Sequence, residues 1–125
     1  MEVSMSYFKG NKEYFAGIGK IAYEGPSSRN PLAFKYYDPD KMVNGKKMKD
    51  ILRYATAYWH CFCGDGGDPF GSATRDFPWN VSNDPMANAE AKADAAFEFI
   101  TKIGTPYYCW HDRDISPEGK TPDES

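Results

Sequence analysis

The segment that most constrains this chain is a capped helical pattern set between two short aromatic runs. Asp84 precedes Pro85, a side-chain cap followed by proline at the first helical position. Met86, Ala89, Ala93, Ala96, Phe97, Ile100 and Ile103 follow at helical spacing, and Gly104 closes the helix. Tyr58-Trp-His-Cys-Phe-Cys63 before it and Tyr107-Tyr-Cys-Trp-His111 after it are ring-rich and bounded by glycine or proline. Each reads as a short buried strand. A strand–helix–strand unit implies parallel strands joined by a right-handed crossover, so the fold class is α/β. Two parallel strands leave faces and edges that need cover. The chain therefore reads as the N-terminal part of a larger α/β protein. Thr121-Pro-Asp-Glu-Ser125 resembles the start of a further helix, with Thr121 as cap, and the sequence stops inside that signal.

Upstream the signals are weaker. Residues 1–20 mix charge, glycine and rings without periodicity and read as an irregular arm. Residues 21–44 carry Gly25-Pro26, Asn30-Pro31 and Asp38-Pro39, each a break, while Leu32-Ala33-Phe34 and Tyr36-Tyr37 are expected to press onto a core. The expected organisation is thus an arm over 1–44 and the first strand–helix units over 45–125. With Asn44 as its cap, a first helix is expected to bury Met48, Ile51, Leu52, Ala55 and Trp59 and to expose Lys46, Lys47, Lys49, Asp50 and Arg53. Residues 64–84 read as a long loop that nevertheless holds large rings. Residues 112–119 read as another loop.

Composition excludes several classes. The 125 residues are 41% apolar and 26% charged, a balance that fits one globular domain rather than a disordered chain. No apolar run approaches the roughly 18 residues that a membrane helix needs. The start, Met1–Gly10, has no continuous apolar core of the secretory type. A net charge of −3 argues against electrostatic capture of nucleic acid. Three cysteines, Cys61, Cys63 and Cys109, lie in the apolar runs, so buried thiols in a reducing cytoplasm are expected. Aromatic residues reach 16%, which points to a ring-lined pocket or a large interface.

Four features could carry chemistry. His111 and Asp114 fall just past the second strand, the end at which active groups gather in parallel α/β folds. A carboxylate three residues on can take the imidazole Nδ1–H and leave Nε2 as a base; the plainer reading is a loop histidine bonded for local structure. Cys61, Cys63, Cys109 and His111, with His60 nearby, could form a zinc set if strand neighbours share a face. Structural zinc sites prefer knuckle turns, and buried free cysteine is commoner. Among Trp59, Phe62, Phe70, Phe77, Trp79, Tyr107 and Trp110, most rings are expected in the core. Phe70, between Pro69 and Gly71, is the exception and points to a partner chain. Gly64-Asp-Gly-Gly67 is a poor phosphate cradle, because Asp65 and Asp68 repel phosphate and no Gly-Lys-Ser/Thr follows.

Many segments, in order, resemble the longer-chain class of xylose isomerases. They are Tyr23-Glu-Gly25, Asn30-Pro-Leu-Ala-Phe34, Gly45-Lys-Lys-Met48, Leu52-Arg53, Ala57-Tyr-Trp-His60, Asp68-Pro-Phe-Gly71 and Phe77-Pro-Trp79. Lys92-Ala-Asp94, Ala96-Phe-Glu98, Pro106-Tyr-Tyr-Cys109, His111-Asp112, Asp114 and Ser116-Pro-Glu-Gly119 continue the series. The resemblance implies a (β/α)8 TIM barrel, of which 125 residues would be an incomplete N-terminal portion, since a closed barrel takes about 250. It implies an aldose–ketose isomerase of xylose metabolism, converting D-xylose to D-xylulose and also D-glucose to D-fructose, with two divalent ions (Mg2+, Mn2+ or Co2+) bound by residues outside this chain. It implies catalytic roles for His111, assisting ring opening, and Asp114, orienting it. It implies substrate-binding roles for Trp59, lining the sugar pocket, and Phe70, reaching a neighbouring subunit of a homo-oligomer, a tetramer. No nucleic acid or membrane partner is implied.

Trp110 and Arg113 depart from the family's usual Cys-Phe-His-Asp-Val-Asp. Trp110 is expected on the opposite side of its strand from His111, and Arg113 adds a cation between two carboxylates. Without later metal ligands the chain alone is expected to be inactive. The alternatives are a non-catalytic binding or assembly module derived from such a barrel, and a related barrel with other chemistry such as an epimerase. Coding sequence beyond Ser125 would separate the first pair: an open frame supports the enzyme and a stop supports the module.

Overall fold

The computed structural model describes residues 8–125, so the first seven residues of the expected arm lie outside the described residues. Asn44 does not cap a helix. With φ values of 49° and 79°, Asn44 and Gly45 form the two-residue turn of a hairpin that pairs β1 (Met42–Val43) with β2 (Lys46–Lys47). Positive φ at both turn positions is the geometry that Asn-Gly favours. The helix expected to run on to Trp59 is the single turn α1 (Met48–Ile51), and its apolar face is not buried: Ile51 and Leu52 are exposed. The chain then straightens into β3 (Ala55–Ala57).

β3 pairs in parallel with β4 (Tyr107–Cys109), with Ala55 opposite Tyr107, Thr56 opposite Tyr108 and Ala57 opposite Cys109. The Thr56 and Thr105 hydroxyls bond at 2.6 Å beneath this pair. The strand–helix–strand unit is therefore present, but its first strand is 55–57, not 58–63. Trp59–Cys63 is instead a π-helical turn. In it Tyr58 and Phe62, four residues apart, turn their rings into the core, and this tertiary demand overrides the strand preference of an aromatic run. β4 is exposed along its length, because nothing described covers its outer face.

The connecting helix α2 (Pro85–Ile103) matches its sequence signals at both ends. Asp84 Oδ1 accepts from the Met86 N–H at 3.0 Å, and Gly104, at φ 80°, sends its N–H to the Ile100 carbonyl at 2.9 Å. One face of α2 presents Ala95 and Ala96 to Tyr58, Phe62 and Trp79, and these five residues form the buried core. Phe77 stacks on Trp79 at 4.7 Å, so the long loop is pinned by its rings.

The adjoining face of α2 is polar and holds the arm. Asp94 accepts from the Asn11 N–H (2.9 Å), Glu98 from the Tyr14 and Phe15 N–H groups (2.7 and 2.9 Å), and Thr101 from the Phe8 N–H (2.9 Å). Lys102 donates to Glu98 (2.8 Å) and to the Phe15 carbonyl (2.7 Å), and Glu98 and Lys102 are both buried. Residues 8–15, read as an irregular arm, are a strap fastened by side chains one turn apart on α2. Leu32 and Tyr36 do not press onto the core but are exposed. No helix among the described residues is long and apolar enough to cross a membrane.

Candidate functional site

Past β4 the chain forms a further single turn, α3 (Asp112–Ile115), within the stretch read as loop. Its formation follows from Asp114. One carboxylate oxygen, Oδ2, accepts from the backbone N–H of His111 at 2.7 Å and lies 3.0 Å from His111 Nδ1. The Asp114 N–H donates back to the His111 carbonyl at 3.0 Å. An ionised carboxylate only accepts, so Nδ1 carries a proton, and in the neutral imidazole Nε2 is then the atom that presents a lone pair. The Asp114 side chain is 14% exposed and that of His111 is 68% exposed, so the carboxylate is sheltered while the imidazole faces solvent.

The π turn reaches the same place. The Trp59 ring lies 4.7 Å from the His111 ring, tilted by 43°. Trp59 and Cys63, each the next residue after a core ring, lie beside that core face, and Cys63 packs against it. Cys63 Sγ lies 3.6 Å from the Asp114 carbonyl oxygen, and the Lys92 ammonium from α2 lies 3.5 Å from Cys63 Sγ. Burial pushes the Cys63 thiol pKa up, and the Asp114 charge adds to this, against the lowering effect of Lys92. Neither Tyr58 nor Lys92 stands out in the sequence reading. The only signal was the four-residue spacing of Tyr58 and Phe62.

Phe70 stands apart. Asp68 and Gly71 exchange backbone bonds at 3.1 and 3.3 Å, Asp68 Oδ1 accepts from the Phe70 N–H at 2.8 Å, and the Phe70 ring is 96% exposed on that turn. The structure thus brings Trp59, His111 and Asp114 together and leaves Phe70 outside them. Trp110 does lie away from His111, stacked on Tyr108 at 4.9 Å. Arg113 does not engage Asp114 and instead pairs with Glu118 at 2.9 Å.

The three cysteines are not buried together: Cys61 and Cys109 are exposed and Cys63 is half-buried. The expected buried thiols are corrected accordingly, because the run that holds Cys61 winds instead of lying in a sheet. Among the described residues no three His, Cys, Asp or Glu side chains converge to hold a metal ion, which removes the zinc set.

The residues thus form a parallel strand–helix–strand unit of the α/β class that carries an imidazole–carboxylate pair past a strand's C-terminal end. No family model matches the sequence. By direct comparison the chain is homologous to xylose isomerases. It is 61% identical over 116 residues to xylose isomerase 1 of Xanthomonas campestris pv. campestris and 60% identical over 116 residues to xylose isomerase of Xanthomonas oryzae pv. oryzae. Xylose isomerase 1 of Xanthomonas axonopodis pv. citri is 62% identical over 109 residues. The first two alignments cover 93% of this chain and 26% of the relative, so the chain spans about a quarter of the length of the curated relatives it matches.

Proposed function

We propose that this chain contributes the ring-opening apparatus of an aldose–ketose isomerase acting on D-xylose, and on D-glucose by the same chemistry. The observation that carries the reading is the His111–Asp114 contact of 3.0 Å with the rest of the imidazole open to solvent. Asp114 holds the Nδ1–H, so Nε2 is free to take the proton of the anomeric O1–H. The C1–O5 bond then breaks as C1 becomes a carbonyl, and O5 takes a proton back from the imidazolium. The Trp59 ring beside His111 offers an apolar face to the sugar's C–H groups. The homology to proteins named xylose isomerase supports the substrate class.

The remaining parts of the reading lie beyond these residues. The fold would be completed as a (β/α)8 barrel, and the divalent ions would be held by residues outside this chain. This chain's part ends at the open-chain sugar, and the 125 residues alone are expected to give no turnover. Phe70, exposed on its braced turn, would reach a neighbouring subunit of a homo-oligomer.

The test is His111→Asn in a protein that carries this segment and is active. Turnover of the cyclic sugar should fall by roughly 10²–10⁴-fold, the usual contribution of a positioned acid–base group. Stability should hardly change, because the side chain is 68% exposed. Full activity on the cyclic sugar would remove His111 from the mechanism.

A further inference from the structure

Lys92 and Cys63 stand outside the proton path, yet they end on it. Lys92 leaves the middle of α2, and its ammonium lies 3.5 Å from Cys63 Sγ and 5.8 Å from the centre of the buried Tyr58 ring. Cys63 closes the π turn and meets the Asp114 carbonyl at 3.6 Å. The S–H can donate in one direction only, and here the carbonyl is its acceptor, so the sulfur lone pairs face Lys92. The sequence Lys92 N–H to sulfur, S–H to carbonyl is therefore satisfied at each step. The Tyr58 hydroxyl is buried with no hydrogen-bond partner among the described residues. Burial first, then the nearness of Cys63 and Asp114, raise its pKa and keep it a neutral hydroxyl.

The π turn thus grips α3 at two points, Trp59 on the His111 ring and Cys63 on the Asp114 backbone. A single helical turn has no internal means of holding its own orientation. We infer that Lys92, acting through Cys63, is a positioning residue that fixes α3 so that the Asp114 carboxylate stays on His111 Nδ1. This rests on the site reading above and deepens it: the imidazole tautomer is set by Asp114, and Asp114 is set from α2.

The test reads the tautomer directly, by imidazole ¹⁵N chemical shifts of His111 in an active protein that carries this segment, with the His111 signals assigned by their loss in His111→Asn. The parent should show the Nδ1–H form. Lys92→Met and Cys63→Ala should shift the ¹⁵N signals toward the averaged values of a free imidazole, with helicity by circular dichroism unchanged. Cys63→Ser, whose hydroxyl can both accept from Lys92 and donate to the carbonyl, should restore the parent spectrum. Parent-like ¹⁵N shifts in both Lys92→Met and Cys63→Ala would overturn the positioning role and leave the His111–Asp114 pair standing. Averaged shifts already in the parent would overturn the pair itself and the positioning role with it. Lys92 is only half-buried, so Lys92→Met decides the question even where Cys63→Ala does not fold.

Discussion

Glu98→Ala removes a side chain that ties the arm's backbone to a buried cation on α2. Glu98 is fully buried and accepts from Lys102 at 2.8 Å, from the Tyr14 N–H at 2.7 Å and from the Phe15 N–H at 2.9 Å. Removing one member of a buried ion pair costs about 3–5 kcal/mol, because the other charge is stranded. Lys102 keeps Glu13 at 3.2 Å and the Phe15 carbonyl at 2.7 Å, which moves the cost toward the lower limit. Two backbone N–H groups lose their acceptor, at about 1 kcal/mol each where they stay out of water. Water can reach them once the strap lifts, so the total should be about 3–4 kcal/mol. For a chain of this size that is a fall of roughly 10–15 °C in Tm. Urea melts followed by circular dichroism would measure the loss. Amide exchange would locate it, with protection at Tyr14 and Phe15 collapsing further than protection at Ile100. Burial alone would raise the Glu98 pKa, but the Lys102 hydrogen bond, the two backbone N–H bonds and the Lys102 charge outweigh it and hold the carboxyl below its ordinary value. The stabilisation is then complete above the unfolded carboxyl pKa of about 4.3 and fades as pH falls through the lower folded value. A variant within about 1 kcal/mol of the parent, with Tyr14 and Phe15 still protected, would refute the account of the strap.

Two further substitutions test the frame. Gly104→Ala places a Cβ on a residue at φ 80° and should cost about 1–2 kcal/mol in urea melts; an unchanged midpoint would show that the helix end relaxes out of the left-handed conformation. Phe70→Ser should leave the chain's stability within about 0.5 kcal/mol, since the ring is 96% exposed, and a larger loss would mean that the ring packs within its own chain.

What was legible in the sequence is what chain neighbours decide. α2 could be read to its caps because Asp84, Pro85 and Gly104 act within one turn of themselves. The His111–Asp114 contact spans three residues, so the turn that forms it is also local. The hairpin at Asn44-Gly45 was equally local, and the Asn-Gly pair is its signal; reading Asn44 as a cap set a weaker preference above a stronger one. The run 58–63 failed for a different reason. Its rings suit a strand, and only the core formed with α2 turns them inward.

The polar contacts that organise the molecule were out of reach because they join distant residues. Glu98 meets Tyr14 across 84 positions, Lys92 meets Cys63 across 29, and Cys63 meets Asp114 across 51. Each of these side chains, read alone, is an ordinary helix-face charge or a small hydrophobe.

α2 is the element they share. Its apolar face anchors Tyr58 and Phe62, and that anchoring brings the neighbouring Trp59 to the His111 ring and Cys63 to the Asp114 backbone; its Lys92 then meets the same thiol. If Lys92 holds α3 through Cys63, the site beyond β4 depends on the helix between the strands as well as on the strands, which are only three residues long. The 19-residue helix is tied to the arm through Glu98 and to the π turn through the core it shares with Tyr58 and Phe62.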